Sequence, residues 1–90
     1  MKIVRSTRFK KDYKLAKKQR KNLKEFEEIL RKLVNKEKLP PKCHDHQLSG
    51  PLKKYRELKI RPDWLLMYRI IDSENELHLV RLGSHSELFK

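Results

Sequence analysis

The chain has 90 residues, a formal net charge of +12 and a mean hydropathy of −0.92, which suits one small, highly charged domain spanning residues 1–90. It has no apolar run long enough for a membrane span or a signal peptide, and its one cysteine, Cys43, fits a reducing cytoplasm. Residues 1–38 carry fifteen Lys and Arg against five Asp and Glu, so the expected partner is nucleic acid, with a solvated helix face as the alternative.

The first part of the chain predicts a strand followed by two helices. The β-branched run Lys2–Arg5 has the composition of a short strand, and Ser6 or Thr7 after it can cap a helix. Two segments then place apolar residues at three- and four-residue steps: Phe9, Tyr13 and Ala16, followed by Leu23, Phe26, Ile29, Leu30, Leu33 and Val34. The short connection between these segments predicts an antiparallel helical hairpin, which Pro40-Pro41 prevents from continuing.

The second part predicts a loop over residues 42–54 and then three strands. The strands are Tyr55–Ile60, Trp64–Ile71 and Glu76–Leu82, and the turns between them are short enough for an antiparallel meander. The segment Ser84–Glu87 has the pattern of a capping box, which predicts a final helical turn. The fold class is therefore α+β: an N-terminal strand, a two-helix hairpin, a three-stranded antiparallel meander and a short C-terminal turn.

Four polar residues interrupt the apolar second half in a way that indicates a site. Asp63 begins one strand and Arg81 ends the antiparallel neighbour, so these two residues and the following His85 should converge on one rim of the sheet. His46 lies in the long loop, which must fold back if this histidine is to join the group.

This set of side chains has the chemistry that RNA cleavage requires. An imidazole transfers protons near neutral pH, so histidines can deprotonate the ribose 2′-hydroxyl and protonate the leaving 5′-oxygen. The guanidinium of Arg81 can hold the phosphate and stabilise its added charge. Lys59 and Arg61, which precede the turn at Asp63, are further candidate phosphate contacts. Taken singly, each of these residues has an ordinary structural explanation, and their convergence beside a basic surface favours catalysis.

Two common kinds of ligand site are not indicated. The chain has only two glycines, too few for a phosphate-binding glycine-rich loop. The run from Cys43 to Gln47 offers four metal ligands, but no second ligand pair accompanies it elsewhere. The sequence therefore predicts neither a metal site nor a cofactor.

Three motifs resemble those of YafQ-type toxins of the RelE/ParE superfamily. They are "DHQLSG" at 45–50, "YRELKIRPDWLLMYRI" at 55–70 and "RLGSHSELF" at 81–89, and they occur in the order found in that family. The resemblance covers essentially the whole chain. It implies a bacterial ribonuclease that cuts mRNA in the ribosomal A site and is neutralised by a cognate antitoxin encoded beside it.

The resemblance also implies roles for individual residues. His46, Asp63 and His85 would carry out acid–base catalysis, Arg81 would bind the phosphate, and two aromatic residues, Trp64 and Phe89, would shape the site. Related toxins often have a histidine where this chain has Lys59, which suits phosphate contact better than proton transfer. Binding to ribosomal RNA would fall to the lysines of the first helix: Lys10, Lys11, Lys14, Lys17, Lys18 and Lys21.

Two alternatives from other functional classes share this scaffold. The ParE branch of the superfamily inhibits DNA gyrase, and a domain of this kind could bind RNA without cutting it. Neither activity requires an acid–base set on one rim of the sheet, so the histidines and Asp63 favour the ribonuclease.

Overall fold

Residues 1–89 are described by the computed structural model, and they form five strands and three α-helices. The strands are β1 (Lys2–Arg5), β2 (His46–Gln47), β3 (Arg56–Arg61), β4 (Trp64–Ile71) and β5 (Glu76–Gly83). The helices are α1 (Thr7–Lys18), α2 (Leu23–Val34) and α3 (His85–Leu88). Among these residues, no helix has both the length and the apolar character needed to cross a bilayer.

The strands form one mixed sheet in the order β1-β5-β4-β3-β2. The predicted antiparallel meander is present as β3, β4 and β5, and β1 lies parallel to β5 at one edge. The prediction of a plain loop over residues 42–54 was wrong in one place, because His46 and Gln47 pair with Glu57 and Arg56. Two polar residues give no strand signal of their own, so this pairing depends on contacts made elsewhere in the fold.

The two long helices begin where the sequence predicts. The side chain of Ser6 accepts a hydrogen bond from the Phe9 amide at 2.9 Å and donates one to the Val80 carbonyl at 2.8 Å, which ties the start of α1 to β5. The predicted apolar stripe of α2 faces the core: Phe26, Ile29 and Leu33 are buried, and Leu23, Leu30 and Val34 are partly buried.

The two long helices contact each other through aromatic side chains, but their contact differs in detail from that of the predicted antiparallel hairpin. Phe26 in the first turn of α2 lies 5.9 Å from Phe9 in the first turn of α1, measured between ring centroids. An antiparallel hairpin places the first turn of one helix against the last turn of the other. The arrangement differs because each helix packs on its own strand, α1 on β5 and α2 on β3.

Both faces of the central strand β4 are covered, as its apolar sequence predicts. Leu66 and Tyr68 lie in the main core beneath the helices, whereas Leu65 and Met67 are buried outside that core. The short helix α3 packs on β5 and buries Leu88. The face away from the long helices therefore has a small apolar floor of its own, and the candidate site forms on this face.

Candidate active site

His46 reaches the sheet through the short strand β2. Asp45, the residue before it, accepts hydrogen bonds from Arg56 at 3.2 and 3.3 Å and from the Tyr68 hydroxyl at 2.5 Å. These bonds fix the loop to β3 and β4, and the backbone pairing then sets His46 opposite Glu57. The Nδ1 atom of His46 lies 2.7 Å from the carbonyl oxygen of His44. The loop therefore folds back as the site requires.

Tyr68 gives this anchor an unusual electrostatic character. Its side chain is almost fully buried, and burial raises the pKa of the Tyr68 hydroxyl well above its ordinary value, with the hydrogen bond to Asp45 as the second cause. The hydroxyl therefore stays protonated and keeps donating to Asp45 at any pH near neutrality.

Glu57 lies between the two candidate catalytic histidines. Its Oε1 atom is 3.9 Å from Nε2 of His46 and 3.9 Å from Nε2 of His85. Glu57 is only 4% exposed, whereas both imidazoles are more than half exposed. The site thus has a buried carboxylate as its floor and two accessible imidazoles above it.

Asp63 and His85 converge as the meander predicts. The Asp63 carboxylate accepts a hydrogen bond from the His85 amide at 3.1 Å and lies 3.7 Å from the Nδ1 atom of that histidine. The α3 helix that carries His85 is held by a complete capping box between Ser84 and Glu87. A side chain at Gly83 would meet the Glu87 carboxylate at 2.9 Å, so this position admits only glycine without a shift.

The two aromatic residues of the predicted site lie in different environments. Phe89 is 42% exposed, and its ring centroid is 6.0 Å from that of His85, which leaves an accessible face beside the histidine. Trp64 is 2% exposed and belongs to the main core under the helices. Its contribution to the site is therefore through the packing of β4.

Arg81 lies at the predicted end of the sheet, but its guanidinium is already paired. Asp12 of α1 accepts hydrogen bonds from Nε at 2.8 Å and from Nη2 at 3.3 Å, and the Glu87 carbonyl accepts another from Nη2 at 3.3 Å. Asp12 also accepts from the Leu82 amide at 2.9 Å. Within residues 1–89 no polar contact joins Arg81 to Asp63 or His85, so the other terminal nitrogen, Nη1, is the part that can bind a ligand.

The remaining predicted cations are arranged differently from one another. Lys59 follows Glu57 by two residues on β3, which places it on the same face of the strand. Arg61 makes a two-point ion pair with Glu25 of α2 and is directed to the helices. The six lysines predicted to bind RNA are all exposed, and in the described part of the chain none forms an ion pair: Lys10, Lys11, Lys14, Lys17, Lys18 and Lys21.

The potential metal ligands at residues 43–46 point to different environments. Cys43 is buried in the core, and burial raises the pKa of its thiol. Asp45 is bound to Arg56 and Tyr68, while His46 is exposed. Over residues 1–89, no group of three or more His, Cys, Asp and Glu side chains is placed to hold a metal ion.

Sequence reasoning missed three carboxylates that hold the site together. Glu57 is an acidic residue inside a strand, and Asp12 is the only acidic residue of α1; both features are visible in the sequence as exceptions to their surroundings. Asp45 stands out in the sequence only as a potential metal ligand. All three contact residues distant in sequence, so their partners could not be identified before the fold was known.

Together these features define a class: small, basic α+β proteins with two histidines and two carboxylates on one face of a mixed sheet. The chain belongs to the YafQ family, because the model of the family described as "Bacterial toxin of type II toxin-antitoxin system, YafQ" matches residues 1–90. The family predicted from the three sequence motifs is therefore confirmed.

Relatives with established names agree with this assignment. The mRNA interferase toxin YafQ of Escherichia coli strain K12 is 36% identical over 88 residues, which cover 97% of this chain and 94% of the relative. The crystal structure of a metal-bound toxin from Helicobacter pylori has a TM-score of 0.93 at 46% identity and covers 99% of each chain. A chain of the E. coli DinJ-YafQ toxin-antitoxin complex has a TM-score of 0.88 at 36% identity, covering 98% of this chain and 96% of that one.

Proposed function

We propose that the protein is a ribosome-dependent mRNA endoribonuclease that cuts by acid–base chemistry through the 2′-hydroxyl, without a metal. The observation that carries the proposal is the placement of His46 and His85, whose Nε2 atoms both lie 3.9 Å from one oxygen of Glu57. The two nitrogens are thus no farther apart than the sum of these two distances, so one phosphodiester can contact both. The relatives named mRNA interferase toxins supply the substrate class.

His46 is the proposed general base. Its Nδ1 atom is 2.7 Å from the His44 carbonyl, an acceptor, so in the neutral ring the proton belongs on Nδ1 and the lone pair on Nε2. The imidazole is more than half exposed on the open face, and Nε2 is the atom that would take the proton of the ribose 2′-hydroxyl. The 2′-oxygen then attacks the phosphorus.

His85 is the proposed general acid for the departing 5′-oxygen. When its ring is protonated, Asp63 and Glu57 lie within 4 Å of its two nitrogens as opposite charges. Nη1 of Arg81 and the ammonium of Lys59 are the proposed phosphate contacts. Phe89, exposed beside His85, offers a ring on which a base of the mRNA can stack.

The exposed lysines of α1 are the proposed contact with ribosomal RNA. Phosphate contacts of this kind release counterions, so binding weakens as salt rises. Replacing Lys14 and Lys18 by alanine should lower the slope of log affinity against log salt by about 1 to 2, by roughly 0.7–0.9 for each phosphate that is no longer neutralised. Lys24 and Lys38 are also exposed, and their double alanine variant has the same net charge, so it is the matched control. Equal slopes for the two variants would remove α1 from the proposed interface.

A cognate antitoxin is the proposed protein partner, since a YafQ chain occurs in complex with DinJ. The surfaces to be covered are the site rim and the basic α1, so the antitoxin segment should be acidic and disordered before it binds. A basic antitoxin segment bound only at the β2 edge of the sheet would contradict this.

The chemistry can be tested with ribosomes carrying a short synthetic mRNA. Wild-type protein should leave an upstream fragment with a 2′,3′-cyclic phosphate or a 3′-phosphate. An mRNA with 2′-deoxyribose at the cleaved nucleotide should resist, because no 2′-oxygen is available to attack. Cleavage should continue in a chelator concentration that keeps the ribosome intact.

Three outcomes would overturn the proposal. A 3′-hydroxyl on the upstream fragment, or cleavage of the deoxy substrate, would mean that water attacks the phosphorus. If free mRNA were cleaved as fast as ribosome-bound mRNA, cleavage would not depend on the ribosome. Inhibition of DNA gyrase by an inactive His85 variant would assign the protein to the gyrase-directed alternative.

A further inference from the structure

Glu57 is a buried carboxylate whose nearest partners are two imidazoles. Its side chain is 6% exposed, and within residues 1–89 it forms no hydrogen bond and lies within 4 Å of no Lys or Arg nitrogen. In the sheet, Glu57 is the cross-strand neighbour of His46 on β2 and of Met67 on β4. The charges available to it are therefore those of His46 and His85.

Burial makes this arrangement costly unless a positive charge is near. A carboxylate that is largely shielded from water loses part of its solvation, and an adjacent cation offsets the loss. Asp63 cannot supply this positive charge, because it is itself an anion, and 71% of its side chain is exposed. Arg81 is engaged by Asp12 of α1.

We propose that Glu57 is a positioning residue that serves as one counter-ion for both catalytic histidines in turn. The inference rests on the proposed acid–base function. Before cleavage His85 is protonated and His46 is neutral, and Glu57 pairs with the His85 imidazolium. After cleavage the charge has moved to His46, and the same Glu57 oxygen is 3.9 Å from that ring as well.

The proton and bond changes balance in this scheme. His46 takes the proton of the 2′-hydroxyl as the bond from O2′ to phosphorus forms. The bond from phosphorus to O5′ breaks, and the proton of His85 passes to O5′. One imidazolium exists before and after, so the buried carboxylate is never left without a cation. Water then returns the two rings to their starting states.

Substitutions at Glu57 test this role in the full-length protein on ribosome-bound synthetic mRNA. Glu57→Gln keeps the size of the side chain and removes its charge, and it should lower kcat at least tenfold while KM changes less than about twofold. Glu57→Asp should recover part of the loss. Glu76→Gln is the matched control, because Glu76 pairs with His78 at 2.9 Å outside the site, and its activity should equal that of wild type.

A modified leaving group separates the two histidines. A substrate with sulfur in place of the bridging 5′-oxygen needs little protonation on departure, so the ratio of its cleavage rate to that of the oxygen substrate reports on the general acid. This ratio should rise most in His85→Ala and stay at the wild-type value in His46→Ala. In Glu57→Gln it should lie between these two.

Every other outcome overturns the shared role. A ratio in Glu57→Gln equal to that of His85→Ala means that Glu57 serves only the acid. A ratio equal to that of His46→Ala means that it serves only the base or the fold. Unchanged kcat removes the role altogether. In each of these cases the wild-type protein still leaves fragments that end in a cyclic phosphate. If the proposed function itself is wrong, the products of the wild-type protein differ.

Discussion

Two charged regions at the same end of the sheet are constructed in opposite ways. On the open face, His46 and His85 are more than half exposed and lie 3.7 Å or more from the carboxylates, although Nδ1 of His46 is 2.7 Å from the His44 carbonyl. At the edge of α1, Arg81 and Asp12 are each less than a fifth exposed and make short, multiple hydrogen bonds. The histidines are free to accept and release protons, whereas the arginine is fixed in orientation.

This difference matches the two contributions to catalysis that we propose for these regions. Proton transfer requires groups that can change charge and reach the substrate, so their contacts are few. A cation that is already held in position binds phosphate without reorganisation. This favours an arginine whose other donors are engaged in fixed hydrogen bonds. The first region should therefore respond to substitution mainly in rate, and the second in both rate and stability.

The largest expected effect comes from His85→Ala. Loss of the proposed general acid should lower the cleavage rate by about 10²–10⁴, with little change in the unfolding free energy, because the side chain is exposed. Rates on programmed ribosomes and circular dichroism melts measure the two quantities. His78→Ala is the control, since His78 pairs with Glu76 away from the site. A melt that falls in parallel with activity would show that His85 is structural.

The second effect tests the fixed region through Asp12→Ala. This change leaves the Arg81 guanidinium without its main partner and should cost about 2–3 kcal/mol of unfolding free energy, somewhat below the range for fully buried pairs. Activity should fall about tenfold through loss of orientation. Glu25→Ala breaks the more exposed pair with Arg61 and should cost at most about 1 kcal/mol. Higher activity in Asp12→Ala would mean that Asp12 restrains Arg81.

The third effect concerns the anchor that carries His46. Tyr68→Phe removes the hydroxyl that donates to Asp45 and should cost about 1–2 kcal/mol at neutral pH, measured by urea unfolding. Tyr55→Phe is the control, because its hydroxyl has no hydrogen bond within residues 1–89. Activity should fall in Tyr68→Phe alone, since only this hydroxyl supports the His46 loop.

The same variant has a defined pH dependence. Burial raises the pKa of Tyr68 in the folded protein, so above about pH 10 the unfolded chain loses this proton while the folded one keeps it. The stabilisation is complete below that pH and is lost as the pH rises toward the folded pKa. The advantage of wild type over Tyr68→Phe should therefore shrink above about pH 10. A constant difference would contradict the buried, protonated hydroxyl.

The smallest effect joins the two regions through α3. Gly83→Ala places a methyl group 2.9 Å from the Glu87 carboxylate, which should disturb the capping box that positions His85 and cost about 1 kcal/mol. In a Glu87→Ala background the contact with the carboxylate is absent and only the Cβ of residue 87, at 3.3 Å, remains close to the new methyl group, so adding Gly83→Ala should cost less there. An equal cost in both backgrounds would assign the effect to the backbone of Gly83.

Local sequence patterns were sufficient for most of the fold. β4 occupies the predicted residues, β3 and β5 are shifted by one residue at most at each end, and the apolar stripe of α2 is buried. The way the two helices contact each other was not predictable, because it depends on which strand each helix covers. Strand β2 could not be predicted either, since His46 and Gln47 become a strand only by pairing with β3.

The candidate site was predictable to a similar degree. The convergence of Asp63 and His85 follows from strand direction alone, and the structure places the Asp63 carboxylate 3.7 Å from the imidazole. The attachment of Arg81 to Asp12 joins residues 69 apart in sequence, and no periodicity encodes such a contact. Long-range ion pairs are chosen by the packed fold, so a pattern can suggest a charged residue's importance without naming its partner.

Strand β1 joins the sheet by pairing with β5, so it cannot join before β5 has formed. Ser6, directly after β1, bonds to Val80, 74 residues away, and β5 separates β1 from every other strand. Joining segments so distant is slow, because a long stretch of chain must first lose its freedom. The β5 strand also carries Arg81 and leads directly to His85. A growing chain that has reached only β4 therefore lacks the strand that holds β1 in the sheet, and it lacks both Arg81 and His85 of the proposed nuclease site.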